Sequence, residues 1–198
     1  MKIKKKRKTM EKRDYGKFIK WLKEKDTIKF TGKEVQVPGK RIRVDVCGIG
    51  IDEEGNLFSY AIEVKQGKIR IDHVAKALTY RSFFTDCYLA VGKKYDFPKA
   101  IYEEAKRQGI GLVRYLRGVG VEVVLEAIHC EANDERAMAA KSIADEVTIC
   151  KKCRRFFWYD ENEEDENIDL FIWRPMAEDE ITLCKKCKYE LLVWLNQK

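Results

Sequence analysis

The chain has 198 residues, of which 45% are hydrophobic and 11% aromatic, and its net charge is +7. That length suits one main domain of about 100–150 residues plus a small appendage, and the apolar content is enough for a real core. Every apolar run falls short of the roughly 20 residues that a membrane-spanning helix needs, which excludes an integral α-helical membrane protein.

The N-terminus, MKIKKKRKTMEK, carries six Lys or Arg among its first eight residues. No apolar stretch follows it, so it does not resemble a secretory signal, and a cytoplasmic location is expected. The arm 1–9, with Lys4, Lys5, Lys6 and Arg7, reads either as a solvated end or as a contact to a polyanion. Charged residues reach 37%, rich in Lys and Glu, while Gln and Asn are scarce. That bias resembles hyperthermophile usage and points to a thermophilic, archaeal source.

In residues 10–24, Tyr15, Phe18, Ile19 and Leu22 recur at helical spacing and predict one buried helix face. A strand, a turn at Pro38–Gly39 and a second strand follow. A third strand closes a hairpin that runs from about Arg41 to Val64. Residues 68–84 read as a helix with Val74, Ala77, Leu78 and Phe84 on its inner side, and residues 86–92 as a short buried strand. A further helix begins near Pro98 and stops at Gly109. Two more strands pair across Arg117–Gly120. The order is αβββαβ, then a helix and two strands, so a mixed sheet is predicted. Residues 131–149 form a polar, Ala-rich helical linker between a main domain at 1–130 and a cysteine-bearing module at 150–198 that ends in a short helix.

The hairpin carries charge where a buried strand should not. Its turn is Glu53-Glu54-Gly55, and a three-residue loop favours Gly at the left-handed third position. Pairing Asp52 with Asn56 then sets Asp45 opposite Glu63, with Cβ atoms about 4.5–5.5 Å apart. Period-two alternation puts Lys65 on the same face as Glu63. Opposed carboxylates repel, and a positive group must offset them. One reading is an ordinary salt-bridge cluster on a wet sheet face. The other is a Mg²⁺ (or Mn²⁺) site, since hard cations commonly take one or two carboxylates plus a substrate phosphate. The flanking Val44, Val46, Ile62 and Val64 mark central strands, where decorative charge is out of place.

RVDVCGI followed by AIEVK resembles the PD-(D/E)xK nuclease superfamily, which includes many restriction endonucleases and archaeal Holliday-junction resolvases. The resemblance covers roughly residues 10–127 and implies a restriction-endonuclease-like αβββαβ core. It implies Asp45 and Glu63 as Mg²⁺ ligands and Lys65 as the catalytic lysine. Val44 stands where the family often has Pro. Many members add an acid on the first helix, for which Glu11 and Glu24 are the candidates, with Glu34 on the first strand a third. Members often carry a polar residue and a Tyr on the helix after the ExK strand. Here His73, Lys76 and Tyr80 share one helix face and are candidate contacts to a DNA backbone, although the family's frequent Gln is missing there.

Cys150 and Cys153 form one CxxC pair and Cys184 and Cys187 another, with 30 residues between them. Two such pairs are what a tetrahedral Cys₄ zinc site requires, and four thiolates leave no open position for catalysis. The knuckles are basic, which suits phosphate, whereas the acidic stretch at 160–169 suits a protein partner. Cys47, Cys87 and Cys130 read as small buried hydrophobes of a reduced compartment. The expected whole is a metal-dependent deoxyribonuclease with structural Zn²⁺ and DNA as its partner, in keeping with a homodimer that cuts two strands. The rival expectation is a non-catalytic nucleic-acid-binding or transcription-associated protein that retains the fold.

Overall fold

A computed structural model describes residues 14–92, 95–144, 147–150, 152–158, 183 and 185–196. Helix α1 is described over 14–23. There follow β1 (Ile28–Gln36), β2 (Arg43–Ile51), β3 (Leu57–Lys65) and α2 (Ile71–Thr79), the last extended by a 3₁₀ turn, Tyr80–Ser82. Next come β4 (Asp86–Val91), α3 (Lys99–Gln108), β5 (Gly111–Leu116), β6 (Gly120–Leu125) and α4 (Asp134–Ile143). A small hairpin of β7 (Val147–Ile149) and β8 (Phe156–Trp158) precedes α5 (Lys185–Asn196).

The six main strands lie in sequence order in one sheet. Strands β1, β2 and β3 are antiparallel, β4 joins β3 in parallel, β5 joins β4 in parallel, and β6 closes as an antiparallel hairpin on β5. This is the predicted mixed α/β sheet with αβββαβ order. Pro98 caps α3, and Gly109 ends it with a φ of +68°, a conformation that glycine adopts without strain.

Alternation along the strands feeds two cores. Val46, Ile62, Val64, Tyr88, Ala90 and Val113 pack under Tyr15, Phe18 and Leu22 of α1. On the other face Cys47, Ala61, Leu89 and Leu112 pack under Val74 and Ala77 of α2, Ile101 and Ala105 of α3, and Ala139 of α4. Burial pushes the Cys47 thiol pKa up to about 12 and raises that of Cys87, so both behave as inert apolar groups. A third cluster joins Ile49 and Leu57 of the hairpin to Ala140, Ala144, Val147 and Phe156, which seats the β7–β8 hairpin against the sheet. The Phe156 N–H donates to the Gly55 carbonyl at 2.9 Å across the same junction. Among the described residues no helix is long and apolar enough to cross a membrane.

Candidate active site

The β2–β3 turn forms as its chemistry demands. Asp52 accepts from the backbone N–H groups of Glu54 and Asn56 at 3.0 and 2.8 Å, and Gly55 takes a φ of +83°. The ladder pairs Ile51 with Leu57 and runs without a slip to Val46 with Ile62. One step further along that register lie Asp45 and Glu63.

At that step the sheet departs from regular alternation. Val44 packs on the α2 side, although Val46, two residues on, packs on the α1 side. On the neighbouring strand the pairing passes from Lys33–Val46 to Val35–Val44, and the intervening Glu34 has a left-handed φ of 54°. Asp45 lies between Val44 and Val46, opposite that left-handed residue, in a ladder whose register does not slip there. Its Oδ1 accepts from the Tyr15 hydroxyl of α1 at 3.1 Å, and its Oδ2 accepts from the Val64 N–H at 2.9 Å. Glu34 itself pairs with Arg43.

Glu63 is the centre of the cluster, and its side chain is 0% exposed. Lys65 Nζ stands 2.6 Å from Glu63 Oε1 and 4.0 Å from Asp45 Oδ2. Lys76 of α2 donates to both carboxylate oxygens, at 2.8 and 2.7 Å. The Tyr80 hydroxyl donates to Oε2 at 2.6 Å. The predicted trio of Asp45, Glu63 and Lys65 is thus gathered at one place.

The two acids titrate in opposite directions. Burial, then the charge of Glu63, raises the Asp45 pKa, and the Val64 N–H, Lys65 and Lys76 offset this only in part. Burial also pushes Glu63 upward, but Lys65, Lys76 and Tyr80 outweigh it and hold the carboxyl below its ordinary range. Glu63→Gln would leave the ammonium groups of Lys65 and Lys76 beside a neutral amide, whose NH₂ could donate to the Tyr80 oxygen once that hydroxyl turns to the Arg43 carbonyl. We expect a loss of about 2–3 kcal/mol at neutral pH, seen as a thermal midpoint lower by roughly 5–10 °C. A folded-state pKa below the unfolded one stabilises fully above the ordinary Glu range and fades as the pH falls through the lowered value. Melting curves of wild type and variant should therefore converge on acidification; a constant gap would contradict this.

Of the remaining sequence candidates, Lys76 and Tyr80 join this cluster, and the others that are described do not. Glu24, with its side chain 62% exposed, pairs with Lys20 on the surface at 4.0 Å. His73 accepts from the Arg70 N–H at 3.3 Å at the start of α2. Tyr80 is buried against Glu63, and Lys76 turns inward to the same carboxylate. Glu11, Lys4, Lys5, Lys6, Arg7 and Cys184 fall outside the described residues. Sequence reasoning missed Asp14, a buried acid on α1 that pairs with Lys17. A Cβ on Gly92 would stand 2.7 Å from Asp14 Oδ2 and 2.5 Å from Gln66 Nε2, so both side chains converge just beyond Val91, the β4 partner of Lys65. The available signal was spacing: Asp14 lies four residues before the core residue Phe18 and shares its face.

At the C-terminal module the ligand atoms of Cys150, Cys153 and Cys187 lie within 4.8 Å of one another. The turn after β7 presents the first two, closed by Arg154 N–H to Cys150 O at 2.9 Å, and the first turn of α5 brings the third. Three sulfurs so placed suit a thiophilic ion such as zinc.

No protein-family model and no curated protein matches the chain. Two solved structures resemble it. One is SPO1766, a protein of unknown function from Silicibacter pomeroyi, 23% identical over 58% of this chain and 71% of that one, with a TM-score of 0.41. The other is Pyrococcus furiosus SfsA, solved in complex with Ca²⁺, 13% identical over 59% of this chain and 64% of its own, with a TM-score of 0.32. Neither likeness assigns a chemistry to this chain.

Proposed function

We propose that the protein is a Mg²⁺-dependent nuclease that hydrolyses phosphodiester bonds of DNA, with Asp45 and Glu63 as the metal ligands. The observation that carries this reading is the convergence of a buried carboxylate, a second carboxylate and a lysine at the end of the β2–β3 ladder. The donor set fits a hard divalent ion, since it offers oxygens from two carboxylates. The raised pKa of Asp45 marks an anion short of compensation, which favours uptake of a cation on that side. Such an ion, when bound, would polarise the phosphate and lower the pKa of a water. Lys65 holds the near oxygen of Glu63 and would orient an attacking water by donating to it. Tyr80 fixes the far oxygen of Glu63, and Tyr15 fixes Asp45. In the module, Cys150, Cys153 and Cys187 would hold a structural Zn²⁺, and the second CxxC motif offers Cys184 as the fourth thiolate.

One observation favours a second reading. Glu63 already has Lys65, Lys76 and Tyr80 as partners, so the cluster balances its own charge, as a purely structural network would. That suits a non-catalytic nucleic-acid-binding or transcription-associated protein. Incubation with plasmid, four-way-junction and flap DNA separates the two. Cleavage that needs Mg²⁺ and vanishes in Asp45→Ala is expected. Binding that persists in EDTA, with none of the three substrates cut, would establish the second reading instead.

A further inference from the structure

We propose, resting on the metal-site reading above, that Lys76 is a resident counter-cation which a divalent ion must displace from Glu63 in order to bind. Lys76 Nζ sits astride the carboxylate, 2.8 Å from Oε1 and 2.7 Å from Oε2, and so occupies the oxygens that a cation would need. The three partners of Glu63 differ in their freedom to leave. Lys65 is on the same strand, with its side chain only 20% exposed, and is also drawn to Asp45 at 4.0 Å. Tyr80 is buried and uncharged at neutral pH. Lys76 reaches in from α2 with a side chain that is 48% exposed, so its ammonium can swing into water at little cost in buried surface.

Charge balance selects the same residue. With both lysines in place, two carboxylates and two ammonium groups sum to zero. A divalent ion added to that set would leave two uncompensated positive charges beside a fully buried carboxylate. Release of Lys76 reduces the excess to one, which a single phosphodiester neutralises. Metal entry, Lys76 release and substrate binding are therefore coupled, and the lysine keeps the fold neutral when neither metal nor substrate is present.

Mn²⁺ titration of the full-length, zinc-loaded protein by calorimetry and electron paramagnetic resonance tests this without reference to cleavage. Asp45→Asn identifies which binding belongs to the site. Lys76→Gln is expected to bind Mn²⁺ about tenfold more tightly than wild type, because one opposing charge is gone. Lys76→Arg, which keeps the charge, should bind no more tightly than wild type and guards against a general loosening of the fold. Equal or weaker Mn²⁺ binding by a folded Lys76→Gln, with wild type binding normally, would overturn the displacement and leave the nuclease reading intact. Absence of Mn²⁺ binding from wild type and both variants would remove the metal site and this inference with it.

Discussion

Asp45→Asn is expected to reduce metal-dependent DNA cleavage by about a thousandfold or more while leaving the protein at least as stable as wild type at neutral pH. On the proposed reading, activity falls because one of the two anionic ligands becomes a neutral amide. Stability holds because the fold disfavours the charge at that position: burial first, and Glu63 second, raise the Asp45 pKa. The folded state then binds the proton more tightly than the unfolded chain. Wild-type stability consequently declines as the pH climbs from the ordinary Asp range through the raised value. The asparagine variant escapes that decline. Its carbonyl can accept from the Val64 N–H, and its amide can donate to the Tyr15 oxygen once that hydroxyl turns, so both hydrogen-bonding positions of residue 45 stay filled. Cleavage assays and thermal melts across pH check both halves. A midpoint lower by more than about 5 °C would give Asp45 a structural role, and retained cleavage would dismiss it as a ligand.

Cys187→Ser is expected to dismantle the C-terminal module and leave the six-stranded sheet folded. The described core around the cysteines is very small: Cys150, Leu183 and Cys187 are buried, with Phe157 and Leu191 packed against them. These described contacts by themselves are too few to hold α5 against the β7–β8 hairpin. Zinc binding in modules of this kind contributes about 10 kcal/mol or more, so losing one thiolate removes most of the stabilisation. Zinc content should drop from about one ion per chain, and a protease should release the α5 segment while the sheet domain resists. A strong chelator added to wild type should reproduce the digestion pattern. Unchanged proteolysis in the variant would mean that packing alone, including the Lys152–Glu190 ion pair at 2.7 Å, fixes the helix.

What could be read before folding was what the backbone fixes locally. The Glu53-Glu54-Gly55 turn set the register, and the ladder from Ile51–Leu57 to Val46–Ile62 carries it to the threshold of the site. Period-two alternation then delivered Lys65 to Glu63. Helix order and strand order followed from the same kind of pattern. The rest depended on how helices sit on the sheet, which no local period encodes. Lys76 and Tyr80 do share a helix face, but their polar ends meet Glu63. The buried acid on α1 is Asp14, hidden among many charged residues because its burial becomes visible only when the helix docks. The left-handed φ of Glu34, opposite Asp45, falls within β1 at a residue type that does not announce it.

The most direct measurement is a crystal structure of the protein soaked in Mn²⁺, with anomalous data collected at the manganese edge. A peak between the carboxylates of Asp45 and Glu63, with Lys65 still against Glu63, is the expected result. A map with no peak there, in crystals whose cysteine cluster shows its own bound metal, would contradict the assignment of these two acids as ligands.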